Sequence, residues 1–427
     1  MSHLSRPTEP STRSPTIAVR PLPAASLVGD RGPLGLPRTY WLLWSGMLLN
    51  RLGGAVFCLL SVYLTRERGL SAPMAGLVMA LYAAGSTIAG PLGGMLADRV
   101  GRRATLLVGT GCAGTLMLAL GFSGGTGTGA GMILAIAPLL GFFTDLCRPP
   151  LQAAVADVVA PEHRARAYAL LYWAVNLGFA GAAVLGGALA EHSFALLFVI
   201  DALTTFGYGA IVLVGVPETC PEPSRASPRA AGHQALLQPF RDRRFMSFVA
   251  IQLLLLLAFV QVIVALPLDM RSHGLPTSQI GWLLGLNGVV IVLAQPLALR
   301  FLRGFSQVHW LAAGAALTGV GLGVMALAGG APVYAAAAVL WTLGEIGFST
   351  AAPTLIAELA PADRRGGYHG TYHLAWGLAS MVAPLVGSLV LARLGGPALW
   401  LGCLAAGLAA GALHLLYTGR RLRAEPR

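Results

Sequence analysis

Residues 246–270 read MSFVAIQLLLLLAFVQVIVALPLDM, and their only charged residue, Asp269, comes at the end. Residues 253–259 within it are apolar on every face, as lipid-buried helices are. The whole stretch is long enough to span a bilayer as an α-helix. Eleven further runs of similar character lie along the chain. Together they predict an all-α membrane protein with twelve transmembrane helices. The predicted spans are 40–64, 73–97, 104–123, 131–156, 166–190, 194–216, 246–270, 279–299, 308–329, 332–357, 368–392 and 397–418.

The composition of the 427-residue chain agrees with a membrane location. Hydrophobic residues make up 56% and charged residues 11%, with a mean hydropathy of +0.70, whereas soluble domains carry about 25% charged residues. The net charge of +12 comes from arginine alone. Because most arginines lie in short loops, the charge indicates membrane topology rather than nucleic-acid binding. The five cysteines are scattered, which predicts neither a disulfide framework nor a metal site.

The arginines are distributed unequally between the two sides of the predicted membrane. With a cytoplasmic N-terminus, 23 arginines lie on the cytoplasmic side and 4 on the outer side, and Arg51 and Arg148 fall inside spans. Positive residues favour the cytoplasmic side, and an odd number of spans would place the arginine-rich C-terminus outside. We therefore expect a multi-pass protein of the bacterial plasma (inner) membrane with both termini in the cytoplasm.

The longest internal connection divides the spans into six and six. It contains PETCPEPSRASPRA, a proline- and serine-rich stretch typical of a linker. The first residues of the chain are polar and lack the apolar core of a signal peptide. The predicted organisation is a disordered basic cytoplasmic tail at 1–37, an N-terminal six-helix bundle at 38–216, a cytoplasmic linker at 217–245, a C-terminal six-helix bundle at 246–418 and a cytoplasmic tail at 419–427.

The two predicted bundles carry related sequences. ADVVAPEHR at 156–164 follows the fourth span, and AELAPADR at 357–364 follows the tenth. Two tyrosines of the fifth span recur in the eleventh at an offset of 200 residues. Parallel repeats of this kind are a transporter architecture with the substrate site near the bilayer midplane. Chance likeness between two alanine-rich loops is the alternative.

The loop after the second span, residues 94–103, reads GMLADRVGRR. It resembles the signature loop G-x-L-a-D-r-x-G-r-r of the major facilitator superfamily, and PET at 217–219 is a further shared feature. The resemblance covers about residues 38–418 and is nearest to bacterial multidrug efflux proteins of the drug/proton antiporter type. It implies two pseudo-symmetric six-helix bundles around a central cavity, and a latch in which the aspartate pairs with basic groups to close the cytoplasmic side. The latch residues are Gly94, Asp98, Arg99, Gly101, Arg102 and Arg103.

Several positions depart from the antiporter pattern. An arginine expected in the fourth span is Ala137, and the Gly-Pro pair expected in the fifth span is Ala182 and Ala183. The second-half loop at 296–304 lacks the aspartate, so the latch is expected on one half only. A generic positive loop with a solvated Asp98 is the alternative to a latch.

Charged residues in the middle of spans are costly and indicate function. Arg51, Asp145 and Glu345 lie near the centres of the first, fourth and tenth spans, and the two carboxylates are related by the 200-residue offset. The resemblance places these spans around the cavity. We predict that one or both carboxylates bind the coupling proton, with Arg51 as the counter-charge of Asp145. Arg148, one helical turn away, is the alternative partner, and a static ion pair is the alternative role.

Aromatic and other polar residues give weaker signals. Tyr172, Trp173, Tyr372 and Trp376 are candidates for a substrate pocket, with core packing as the alternative. Asp201 and Asp269 lie near the outer ends of spans and are expected at the membrane interface. His369 and His373 have the spacing of a metal pair on a helix but no evident third ligand, so no metal is expected.

The predicted function is secondary active transport by alternating access, most simply proton-coupled export of amphipathic small molecules or drugs. Proton-coupled uptake of a small metabolite is the alternative, and a non-transporting membrane receptor or scaffold is the alternative of another class. No phosphate-binding loop and no nucleophile paired with a base is evident, so we expect no enzymatic activity. The expected partners are a small-molecule substrate, protons and membrane lipid, with no cofactor and no nucleic acid, and the protein is expected to be a monomer.

Overall fold

The computed structural model describes residues 32–122, 130–219, 238–301, 306–361 and 365–418. Twelve helical segments in these ranges are long and apolar enough to cross a membrane, which confirms the predicted fold class. We number them as spans 1 to 12. Their helices are Arg38–Gly53 with Ala55–Arg66 (span 1), Ala72–Arg99 (2), Arg102–Phe122 (3), Ala130–Asp145 with Arg148–Val158 (4), Arg164–Ala190 (5), Phe194–Gly215 (6), Arg243–Phe259 with Gln261–Ser272 (7), Thr277–Phe301 (8), Gln307–Val324 (9), Ala331–Leu359 (10), Arg365–Leu394 (11) and Gly396–Leu413 (12).

Span 4 is interrupted in the middle of its path. Its first helix ends at Asp145 and its second begins at Arg148, directly before Pro149 and Pro150. Proline has no backbone N–H, so the carbonyls of residues 145 and 146 lose their i+4 helical donors. The interruption lies beside the midplane carboxylate that the sequence singles out.

The spans form two bundles of six. In the N-terminal bundle span 2 packs on span 4, span 3 on span 6, and span 1 on spans 5 and 6. In the C-terminal bundle span 9 packs on spans 10 and 12, and span 7 on spans 11 and 12. Spans 5 and 8, spans 2 and 11, and the second halves of spans 1 and 7 join the bundles.

The bundles meet at the ends of the spans opposite to Arg38, where span 1 begins, and to Leu413, where the helix of span 12 ends. Near that side a Cβ added to Gly187 would come within 2.9 Å of the Gly281 Cα, so spans 5 and 8 approach closely there. Polar contacts join the same ends, because Arg66 Nη1 donates to Thr277 Oγ1 at 3.3 Å. Glu191 Oε1 accepts from the Ser278 hydroxyl at 2.6 Å and from its N–H at 3.0 Å. We call this the outer contact, because the predicted orientation assigns it to the outer side of the membrane.

Two predicted irregular segments are partly ordered. Residues 33–35 form a 3₁₀ turn, Leu36 is fully buried, and Trp41 Nε1 donates to the Pro33 carbonyl at 3.1 Å. Residues 32–37 therefore do not fit a disordered tail, while 1–31 and 419–427 lie outside the described residues. At the end of the predicted linker, Asp242 caps span 7 by accepting from the Arg244 N–H at 2.9 Å. Residues 220–237 of the linker lie outside the described residues.

Candidate transport site

The loop between spans 2 and 3 ties together four spans of the N-terminal bundle. Arg102 Nη1 donates to Asp98 Oδ1 at 2.9 Å, and Arg102 Nε donates to Asp157 Oδ2 at 3.2 Å at the end of span 4. The Asp98 side chain is 71% exposed. Arg103 donates to the Leu213 carbonyl in span 6. These partners all belong to the N-terminal bundle, so the closing role of the loop stays a prediction.

Glu218, in the PET motif after span 6, caps the start of span 3. Its carboxylate accepts from the N–H of Arg102 at 2.8 Å and of Arg103 at 3.1 Å. A carboxylate at a helix N-terminus satisfies free donors and complements the helix dipole. Gly101, which precedes the helix, has a φ of +117° and lies directly against the Glu218 carboxylate. A side chain at position 101 would strain the backbone and displace the cap.

The remaining latch residues have simpler surroundings. Gly94 faces Pro149 of span 4, where an added Cβ would lie 4.0 Å from the proline Cβ. Arg99 is the last residue of span 2 and is exposed. Within the motif, Gly94 packs against span 4 and Gly101 forms the turn. Arg102 joins Asp98 to Asp157, and Asp98 and Arg99 are exposed.

Asp145 forms an ion pair with Arg148 at the interruption of span 4. Arg148 Nε lies 2.7 Å from Asp145 Oδ1, and Ser86 of span 2 donates its hydroxyl to Asp145 Oδ2. The Asp145 side chain is 12% exposed, whereas that of Arg148 is 59% exposed. Of the two partners that the sequence allows for Asp145, the structure therefore pairs it with Arg148.

Arg51 lies deeper in the same bundle and makes no ion pair in the part of the chain the structure describes. Its Nε is buried without a hydrogen-bond partner. Its side chain leaves span 1 directly beside Gly178 of span 5. Asp145 and Arg148 are near enough to interact with its charge, and so is Asp201. The expectation that Arg51 is the direct partner of Asp145 is not met, because Arg148 occupies that position.

Glu345 has a different environment from Asp145. Asn287 of span 8 donates its amide to Glu345 Oε2 at 2.8 Å, and the same amide lies 3.1 Å from Thr342 Oγ1. Within the described ranges Glu345 makes no ion pair. Tyr172 of span 5, in the other bundle, is near enough to interact with its charge. Glu345 is therefore an uncompensated carboxylate beside the junction of the two bundles.

Two polar partners of Asp145 and Glu345 were not predicted from the sequence. Ser86 binds Asp145 and Asn287 binds Glu345. These partners are separated by 201 residues, as the carboxylates are by 200. Extending the internal repeat from spans 4 and 10 to spans 2 and 8 would have found them.

The four aromatic pocket candidates have different surroundings. Tyr172 is 39% and Trp173 47% exposed. Tyr372 is 7% exposed and its hydroxyl accepts from Gln252 at 3.5 Å, so it belongs to the core of the C-terminal bundle. Trp376 is partly buried and packs edge-on against Phe259 with ring centroids 5.9 Å apart.

Asp201 and Asp269 are buried between spans, and their expected place at the membrane interface stays a prediction. Asp201 is 4% exposed and its carboxylate lies against the Val56 N–H, where the break of span 1 leaves a helix start to be capped. Asp269 is 1% exposed and accepts from the Tyr334 hydroxyl at 2.7 Å and from Trp400 Nε1 at 2.8 Å. Position along a span did not reveal these hydrogen bonds, which come from other spans.

Comparison with known proteins identifies the family. The sequence model of the Major Facilitator Superfamily matches residues 43–268 and 248–427. The chain belongs to this superfamily. It is 27% identical over 389 residues to the uncharacterized MFS-type transporter YttB of Bacillus subtilis, covering 90% of this chain and 96% of that protein. It is 28% identical over 340 residues to the multidrug resistance protein MdtH of Cronobacter sakazakii, covering 78% and 81%.

Solved transporters of the superfamily fold share the architecture at low sequence identity. A peptide transporter POT in complex with sulfate superposes with a TM-score of 0.76 at 19% identity, covering 93% of this chain and 97% of that chain. The nucleoside transporter NupG gives a TM-score of 0.75 at 11% identity, covering 88% and 99%. The chain is therefore a multi-pass membrane protein with the fold of a transporter.

Proposed function

We propose that this superfamily member couples proton movement to the export of amphipathic small molecules by alternating access. In this proposal it lies in the inner membrane with both termini in the cytoplasm. The observation that carries the proposal is Glu345, a midplane carboxylate that binds an amide and has no cationic partner among the described residues.

Burying a charged side chain in an apolar site costs free energy. An ionised carboxylate without a cationic partner is far more costly in an apolar site than its neutral acid. Glu345 can therefore hold a proton when the site is closed and release it when water reaches the site. Asn287 supports either form, because its amide donates to one carboxylate oxygen and leaves the other for a proton.

Asp145 suits a different role. Arg148 compensates its charge through the 2.7 Å ion pair, and the Ser86 hydroxyl satisfies its second oxygen. In our proposal Glu345 carries the coupling proton, and Asp145 orients Arg148.

The direction of transport is proposed from the relatives. MdtH, to which the chain is similar, is named a multidrug resistance protein. Uptake is a second candidate, because the antiporter positions in spans 4 and 5 are occupied by Ala137, Ala182 and Ala183. Ala137 is 3% exposed, and the other two are at most 1% exposed. Ala137 does not carry the charge of the expected arginine, and Ala182 and Ala183 do not supply the proline of the expected Gly-Pro pair.

The proposal is tested in proteoliposomes with an imposed pH gradient. Glu345→Gln keeps the shape of the side chain and its ability to accept from Asn287 but cannot exchange a proton. We expect the variant to fold, to bind and exchange substrate between the two sides, and to lose accumulation driven by the pH gradient. Glu67→Gln, an exposed carboxylate paired with Arg66 at 3.4 Å, is the matched control.

Three outcomes separate the alternatives. Full gradient-driven transport by Glu345→Gln removes this residue from the proton path. Accumulation in the direction of the proton flux, rather than against it, supports uptake. Absence of flux for every dye and metabolite in a broad panel supports a non-transporting receptor or scaffold.

A further inference from the structure

The Arg148 side chain presents a positive charge to the space between the bundles. Its Nε lies 2.7 Å from Asp145 Oδ1, and the side chain is 59% exposed. Arg148 is near enough to His373 of span 11 to affect its charge, which places it on the side facing the other bundle. The exposed guanidinium therefore lies near span 11, at the level of the span 4 interruption.

The carboxylates that balance this charge are withdrawn from the same space. The Asp145 side chain is 12% exposed, and Asp201 in span 6 is 4% exposed. Arg51 adds a second guanidinium near Arg148. A solute that reaches this region would therefore contact the exposed Arg148, whereas Asp145 and Asp201 are buried.

The chemistry of the exposed atoms favours a planar anion. The two terminal nitrogens of Arg148 form a rigid fork that matches the two oxygens of a carboxylate. Pro149 and Pro150 follow directly and have no N–H, so the start of the second helix of span 4 offers few backbone donors to an anion. Recognition therefore depends on the guanidinium rather than on the helix end.

We infer that Arg148 is the anion-binding position of the transport site and that the transported compound is an amphipathic molecule carrying a carboxylate. This inference rests on the proposed function and narrows its substrate class. The carboxylate binds the Arg148 fork in the N-terminal bundle, held in position by the ion pair with Asp145. The apolar part of the compound extends toward Tyr172, whose side chain is 39% exposed in span 5 and lies near Glu345.

The inference is tested by binding to the purified full-length protein in detergent at pH 7. The probes are pyrenebutyrate, its uncharged methyl ester and a pyrenebutyl ammonium compound, followed by fluorescence anisotropy. We expect the acid to bind at least about tenfold more tightly than the ester, and the ammonium compound to bind most weakly, because one charge-assisted fork contributes about a factor of ten or more.

Substitutions of Arg148 test whether its two terminal nitrogens cause the tighter binding of the acid. Arg148→Gln should abolish the difference between acid and ester, and Arg148→Lys, which keeps the charge without the fork, should retain part of it. Because Arg148→Gln leaves Asp145 without its partner, the double variant Arg148→Gln/Asp145→Asn removes both charges and should give the same loss with less effect on folding. Arg393→Gln, at the outer end of span 11, is the matched control and should bind as the wild type does.

The outcomes are distinct from those for proton coupling. Equal affinity for acid and ester, no binding of the acid, or an acid preference that survives in both the single and double variants would overturn the anion site. If the pH gradient drives transport of a neutral or cationic dye in the wild type but not in Glu345→Gln, the proposed function stands and only the substrate class is refuted. Loss of coupling in Glu345→Gln with unchanged acid preference supports both.

Discussion

Asp269 should stabilise the C-terminal bundle through a hydrogen-bond network that joins three spans. Its Oδ2 accepts from the Tyr334 hydroxyl of span 10 at 2.7 Å and from Trp400 Nε1 of span 12 at 2.8 Å. His273 Nδ1, on the next turn of span 7, lies 3.0 Å from the Tyr334 hydroxyl. The Asp269 side chain is only 2% exposed, so solvent does not replace these bonds.

The magnitude follows from the groups that a substitution leaves unpaired. Asp269→Leu orphans two buried donors, and each orphaned donor costs about 1–3 kcal/mol. The Tyr334 hydroxyl can turn toward His273 and recover part of its share, so we expect a loss of about 2–4 kcal/mol in the free energy of unfolding. Asp269→Asn keeps an acceptor oxygen but loses the charge, and its loss should be about half as large.

The assay is unfolding in mixed micelles of a mild detergent and SDS, with thermal unfolding as a second measurement. Glu67→Leu, a similar substitution at an exposed carboxylate, is the control and should change stability by less than about 0.5 kcal/mol. A double-mutant cycle with Tyr334→Phe should give a coupling energy above about 1 kcal/mol. If Asp269→Leu is as stable as the control, or if it is additive with Tyr334→Phe, the network does not stabilise the bundle.

Three further predictions concern conformation and topology. Asp98→Asn should reduce transport without a change in melting temperature. The ion pair of the 71% exposed Asp98 with Arg102 contributes little to stability, whereas the predicted latch would favour another state of the transport cycle. Unchanged transport kinetics would make Asp98 an ordinary loop residue. Hydrogen bonds from Ser278 lower the pKa of Glu191, so the outer contact should persist at neutral pH and weaken as the outer pH falls through this lowered pKa. Spin labels at the outer ends of spans 5 and 8 should then move apart at low pH, and Glu191→Gln should show the wider distance at pH 7 already; a distance independent of pH and of this substitution would contradict the assignment. Single cysteines at position 225 and after residue 420 should be labelled only from the cytoplasmic side, and labelling from outside intact cells would refute the twelve-span orientation.

The sequence predicts the spans because lipid imposes a local rule. Each crossing segment needs a run of apolar residues long enough to span the hydrocarbon and must satisfy its own backbone. Residues 246–270 meet this rule by themselves, and the structure has span 7 over Arg243–Ser272. The 94–103 motif is also a local feature of the sequence. Its turn requires a glycine, because the backbone of Gly101 has a φ of +117°.

The partners of the charged residues were decided by the tertiary structure. Asp145 pairs with Arg148 rather than with Arg51, and both residues of this pair lie at the interruption of span 4. The burial of Asp269 depends on donors supplied by spans 10 and 12, which are more than 60 residues away in sequence. Hydropathy and charge along a chain determine which segments enter the membrane, whereas hydrogen bonds and ion pairs between spans depend on how the helices rotate and pack.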